Sequence, residues 1–196
     1  MGARIGVLAL QGDVSEHIDA FRNAARAFGS ESSVIVTPVR RPDEVPYLDA
    51  IAIPGGESTT ISRLIDKNGF FKLLVDFEGG IFATCAGMVM MAMRVDDPRV
   101  HPLGLMDYTV IRNAFGRQRE SFEADVGIAG LDRPFHAVFI RAPIAEQPGD
   151  GMKIMGTIPE GIIALERDRY MALSFHPELG HDPRLHIRFL KNCGLI

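Results

Sequence analysis

Four short apolar runs punctuate the first 85 residues, over positions 4–10, 34–36, 50–53 and 80–84, and none is long enough to be a helix. Stretches of helical spacing separate them. Val14, Ile18, Phe21, Ala25 and Phe28 share one helical face, with Asp13 and Glu16 placed as a capping box and Gly29 as the stop. Two further helices are predicted over roughly 58–66 and 69–77. Short apolar strands alternating with helices require a mostly parallel sheet covered on both faces. From about Tyr108 the pattern changes. Strands are predicted over 108–112, 121–126, 136–140, 162–166 and 170–175 with few helices between them, which adds antiparallel strands to the C-terminal half. A last helix covers 182–192, with Arg184, Arg188 and Lys191 facing outward. No linker, repeat or low-complexity segment interrupts the chain, so residues 1–196 read as one α/β domain.

Composition excludes several classes. A net charge of −4, with the basic residues scattered, argues against a nucleic-acid partner. No apolar stretch approaches membrane-spanning length, and the run 5–10 is too short for the core of a signal peptide. The two cysteines, Cys85 and Cys193, have neither metal-ligand spacing nor a disulfide framework around them. Free thiols of this kind fit a cytoplasmic protein.

The fourth strand ends at a thiol. Thr84-Cys85-Ala86-Gly87 joins an apolar run to a helical stretch over Met88 to Met93, which predicts strand, sharp turn and helix with sulfur at the apex. The same geometry exposes the serine of a Gly-x-Ser-x-Gly elbow. The positive end of the following helix favours thiolate there. A lone cysteine after a strand is more often an inert core residue, but small neighbours at 83, 86 and 87 suit a tight turn. A second segment lies 91 residues further on: Ser174-Phe175-His176-Pro177-Glu178. It supplies an imidazole to take the thiol proton and a carboxylate to orient that imidazole. Cys85, His176 and Glu178 thus have the composition of a nucleophilic triad for acyl transfer.

Sites in open parallel sheets gather beyond the carboxyl ends of strands. Cys85 holds such a position, and so does Pro54-Gly55-Gly56-Glu57-Ser58-Thr59. The paired glycines allow bare N–H groups to face a substrate, as an oxyanion hole requires; a simple tight turn is the plain alternative. Nucleotide-binding glycine patterns are missing from the chain.

Together the elbow, the Pro-Gly-Gly loop and the His-Pro-Glu segment resemble the class I, triad-type glutamine amidotransferases. Gly6 to Gly12 with Glu16-His17, Pro54 to Thr60, Arg112 to Gln118, Ser121 to Asp125 and Val138 to Pro143 narrow the resemblance to the glutaminase subunits of pyridoxal 5′-phosphate synthase. It runs from residue 4 to about 190. The resemblance implies a flavodoxin-like sheet and hydrolysis of L-glutamine to glutamate and ammonia. It also implies delivery of the ammonia to a separate synthase subunit in a hetero-oligomeric complex. That partner would build pyridoxal 5′-phosphate from ribose 5-phosphate and glyceraldehyde 3-phosphate. By motif, Cys85 is the nucleophile, His176 the base and acid, and Glu178 its orienter. Gly56, Glu57, Ser58, Arg112, Ile140 and Arg141 match glutamine-contacting positions, and the amides of Gly56 and Ala86 are the expected oxyanion donors. No cofactor or metal is called for. One departure is Ala83, where the family's Gly-Thr-Cys-Ala-Gly has glycine. Two other classes share parts of the pattern. A cysteine peptidase of this architecture would give Arg112, Ile140 and Arg141 no reason to match a glutamine site. A non-enzymatic binding module would not need an intact Cys-His-Glu set.

The remaining reactive residues have plainer readings. Cys193 is expected to be a packing residue, and His101, His136, His181 and His186 to hold no metal. His17 is read as a solvated helix face, although the resemblance places its region at the synthase interface. Arg117 and Arg119 are surface loop cations. Met88 to Met91 should be buried behind the elbow.

Overall fold

The computed structural model describes residues 2–115 and 121–196. Arg117 and Arg119, with the remainder of the 116–120 segment, lie outside the described residues. In chain order the elements are β1 (Ala3–Leu8), α1 (Val14–Ala27), β2 (Val34–Val39), β3 (Ala50–Ile53), α2 (Ser58–Lys67), α3 (Phe71–Val75), β4 (Gly80–Thr84) and α4 (Ala86–Met91). There follow β5 (Ala92–Val95), β6 (Met106–Ile111), β7 (Ser121–Val126), β8 (Phe135–Ile140), β9 (Ile144–Glu146), β10 (Lys153–Ile158), β11 (Gly161–Arg167), β12 (Tyr170–Leu173) and α5 (Arg184–Asn192).

Among the described residues ten strands form one sheet, in the order β2-β1-β3-β4-β12-β11-β9-β6-β5 with β10 also on β11. From β2 to β12 all neighbours are parallel. Beyond β12 the pairings β12-β11, β11-β9 and β9-β6 are antiparallel. A mostly parallel sheet with added antiparallel strands is therefore what the chain builds. β7 and β8 make a separate antiparallel ribbon.

Strand alternation divides the core. Ile51, Ile53, Ile81 and Ala83 point to the face covered by α2, α3 and α4. Ala50, Ala52 and Phe82 point to the opposite face, against α1 and α5. The Met88 to Met91 stretch is fully buried behind the elbow, as its apolar pattern requires. Ala83 finds room because position 87 is glycine: a Cβ there would come 3.3 Å from the Ala83 methyl.

Several expectations are corrected. Asp13 occupies the N-cap of α1 but makes no capping hydrogen bond. Of the three basic residues expected to face outward on α5, only Lys191 is exposed. Arg188 instead grips Glu166 with two hydrogen bonds of 2.9 and 2.8 Å, and Arg184 binds Asp132 and Asp182. The apolar run after Cys85 leaves the helix at Ala92 and continues as β5. Neither β9 nor β10 was expected.

Candidate active site

The strand order reverses direction around β1, and a doubly wound sheet opens a crevice at the carboxyl ends of its strands there. Four strand ends meet at that crevice: Gln11 to Asp13 after β1, Pro54 to Glu57 after β3, Cys85 after β4, and Ser174 to Glu178 after β12. The resulting cleft has a volume of about 540 Å³. Cys85, Ala86, Gly56, Glu57, Ser58, Arg112, Ile140, Arg141 and His176 all line it, with Gln11, Asp13, Val89, Asn113 and Pro143. Glu178 sits beneath His176, buried.

Cys85 has φ 49° and ψ −106°, a left-handed conformation that L side chains rarely adopt. Such strain costs about 1–3 kcal/mol and persists only where the surroundings impose it. Here they do. The Cys85 N–H donates to the Leu173 carbonyl at 2.8 Å, and α4 packs so closely that a Cβ on Gly87 would lie 2.1 Å from the Ile53 carbonyl oxygen. The thiol points at the Ile140 carbonyl, 3.6 Å away. Ala86 opens α4, so its amide is among those left without an intrahelical acceptor.

His176 is held from both sides. Its backbone N–H donates to the Val138 carbonyl at 2.9 Å, and its Nδ1 lies 2.7 Å from Glu178 Oε1. Asp13 Oδ2 is also only 3.3 Å from Nδ1, so this acidic neighbour serves the imidazole and not the helix. Burial works against charge on His176, but Asp13, Cys85 and Glu178 outweigh it and push its pKa up to about 12. Burial likewise opposes charge on Glu178, yet His17 and His176 hold its carboxyl well below the usual range. Asp13, His176 and Glu178 bring ligand atoms within 4.8 Å of one another, the spacing of a metal site. The hydrogen bond and ion pair that these groups make with one another account for that closeness.

The loop before α2 is pinned on either side of Gly56. Gly55 N–H donates to Thr84 Oγ1 at 3.1 Å, and Glu57 N–H to Gln11 Oε1 at 2.8 Å. A side chain at Gly55 would meet the His176 ring at 2.4 Å. Glu57 caps α2 by accepting the Thr60 N–H at 2.7 Å, and its other oxygen lies 3.3 Å from Arg112 Nη2. Arg112 also binds Asp97. Arg99 and Arg112 hold the Asp97 carboxyl well below its usual range, against the effect of burial.

Three contributors were missed. Gln11 lies in the Gly6 to Gly12 segment that carries the resemblance, and Asp13 follows it with the local signal of a helix cap, but neither was assigned a place in the site. His17, read as a solvated face, is wholly buried, with Nε2 3.0 Å from Thr84 Oγ1 and 3.4 Å from Glu178 Oε1. The other histidines stand apart from the cleft: His101 pairs with Asp66, His136 with Asp125 and Glu123, and His186 is enclosed by Phe21 and Phe82. Cys193 is half-buried, and burial pushes its thiol up to about 11.

Comparison with known proteins identifies the family. A crystal structure of a glutamine amidotransferase superposes with a TM-score of 0.85 at 39% identity, covering 97% of this chain and 98% of the other. The pyridoxal 5′-phosphate synthase subunit PdxT of Methanoregula boonei is 62% identical over 98% of this chain and its own full length. The protein of the same name from Niallia circulans is 45% identical, covering 95% of this chain and 96% of its own. Residues 7–195 match the model of one family, and the chain belongs to it: the SNO glutamine amidotransferase family.

Proposed function

We propose that this chain is the glutaminase subunit of a pyridoxal 5′-phosphate synthase, hydrolysing L-glutamine and handing the ammonia to a synthase partner. One observation carries the reading. A cysteine held at positive φ at a strand end shares a cleft with an imidazole that is itself seated on a buried carboxylate. With His176 protonated, the thiolate of Cys85 attacks the side-chain carbonyl carbon of glutamine. The amides of Gly56 and Ala86 receive the oxyanion. As the carbon–nitrogen bond breaks, the imidazolium gives its proton to the nitrogen, which leaves as ammonia. A γ-glutamyl thioester remains. Water then attacks it, His176 takes the proton of that water, and glutamate departs from the regenerated thiolate. Glu178 keeps the imidazole in register throughout. Glu57, Ser58, Arg112, Ile140 and Arg141 line the remaining wall and would hold the amino-acid end of the substrate.

Residues 1–196 act as one domain in this reading, and a cytoplasmic setting suits the two free thiols, Cys85 and Cys193. No helix among the described residues is long and apolar enough to cross a membrane.

The test is ammonia release from glutamine, asparagine and short peptides, with and without a synthase partner, for the parent and for Cys85→Ala. Glutamine alone should be hydrolysed. The variant should stay folded and bind the partner but retain less than about one per cent of the rate, because losing a nucleophile costs several orders of magnitude. Cleavage of peptides in preference to glutamine would overturn the assignment.

A further inference from the structure

Helix α1 sends His17 into the sheet. The ring packs edge-on to Phe82 with centroids 6.2 Å apart and is closed off from solvent. Its Nε2 faces two oxygens, Thr84 Oγ1 at 3.0 Å and Glu178 Oε1 at 3.4 Å. Each oxygen has a second duty. Glu178 Oε1 is the atom that meets His176 Nδ1, and Thr84 Oγ1 receives the Gly55 N–H. A single ring nitrogen therefore stands where the orienting carboxylate, the residue before the nucleophile and the loop before α2 converge.

The chemistry sets the tautomer. A bare nitrogen lone pair beside a carboxylate oxygen is repelled, so Nε2 carries the proton and donates it. Packing gives little reason for an imidazole here. Its Nδ1 is buried without a hydrogen-bond partner among the described residues, a loss that an apolar side chain of similar size would avoid. The Nε2 side must offset it.

We propose that His17 is a positioning residue of the hydrolysis described above, its Nε2–H shared between Glu178 and Thr84 so that base, nucleophile strand and glutamine loop keep one register. This inference rests on the glutaminase reading of the site. The titratable groups around His17 are Glu178 and His176 on the turn after β12, Asp13 at the start of α1 and His186 on α5. Among them Glu178 responds most directly. His17 is the foremost group opposing the effect of burial on that carboxylate. Without the donor, Glu178 takes up a proton at higher pH, and His176 loses its seat.

Two substitutions separate this role from filling space. Gln can present an amide N–H near the position of Nε2, whereas Leu has similar bulk and no donor. His17→Leu and His17→Gln would be assayed in the full chain with saturating synthase partner, alongside the parent. His17→Leu should lower kcat about tenfold or more while KM for glutamine stays within about twofold, the pattern of a group acting through the triad. The acid limb of its kcat/KM profile should move to higher pH by about half a unit or more, as expected when a carboxylate loses a donor. His17→Gln should recover most of the rate and the parent's limb. Equal rates for Leu and Gln, or a loss matching only the unfolded fraction by thermal melt with an unshifted limb, would overturn the role. Nitrogen-15 NMR of the parent needs no variant: protonated Nε2 on His17 supports the proposal, and a bare Nε2 ends it. A parent that releases no ammonia from glutamine would instead remove the glutaminase reading, and this inference with it.

Discussion

Two histidines outside simple acid–base duty show how one residue type is decided by its surroundings. His17 has a carboxylate within reach; His186 does not. The His186 ring lies 4.9 Å from Phe21 and 4.8 Å from Phe82, centroid to centroid, and neither nitrogen has a partner among the described residues. Burial, with His17 nearby, lowers its pKa from 6.5 to about 3. Between those values the unfolded chain binds a proton that the folded chain refuses, so stability is present above pH 6.5 and lost on acidification below it. Urea unfolding at stepped pH should show a loss of about 1.4 kcal/mol per unit from this residue. His186→Leu should flatten that slope, and identical slopes for parent and variant would refute the account. In the proposed triad, Glu178 only seats the imidazole that moves protons. Orienter and base differ by about 10–100-fold in comparable hydrolases, so Glu178→Gln should retain that much more kcat/KM than His176→Asn. The reverse ranking would exchange their roles.

Short elements, not long ones, build the cleft. The elbow is a five-residue strand meeting a six-residue helix, and its sharpness depends on Gly87. A methyl at that position meets the Ile53 carbonyl oxygen at 2.1 Å, which is backbone and has little freedom to yield. Gly87→Ala should push α4 away from β3 and cost about 1–3 kcal/mol, the usual range for overpacking. Because α4 carries the Ala86 amide and abuts Cys85, glutaminase activity should fall by more than the loss of folded protein explains. Thermal melts read beside kcat would settle it; an active variant with unchanged Tm would mean that the elbow can relax. The turn before α1 is similarly compact. Within seven residues Gln11 reaches Glu57, Asp13 reaches His176, and His17 reaches Thr84 and Glu178.

At the scale of the whole molecule those contacts make the β1–α1 region a route from the surface to the chemistry. Ammonia released before docking would be lost to solvent, so a subunit that is slow until docked has an advantage. We expect the Pro54-Gly55-Gly56 loop to be the switch, since reorienting a glycine peptide makes or removes an oxyanion donor at low steric cost. Gln11 ties that loop to the start of α1, which gives a docked partner a handle on it. A tenfold gain needs only about 1.4 kcal/mol of differential stabilisation. We expect kcat/KM for glutamine to rise at least about tenfold on saturation with the synthase partner. Equal values with and without it would show that the site is assembled in the free subunit.

The parallel half of the sheet was legible because its strands are short, apolar and separated by helical spacing, all of which are local properties. The elbow was legible too, since Thr84-Cys85-Ala86-Gly87 encodes strand end, thiol and close helix approach in four adjacent residues. β9 and β10 escaped notice because one has three residues and the other is broken by Gly156, with shifted pairing on either side of it. Periodicity placed His17 on a helix but could not say what faced it. Its partner Thr84 lies 67 positions away, and only the packing of α1 on β4 brings them together. The same holds for Asp13, whose carboxylate had a local use as a cap and a distant one at His176. Local pattern determined the elements and the thiol at the elbow. Which polar side chains surround it was decided by tertiary packing, because a hydrogen bond is chosen by distance in space and not by separation along the chain.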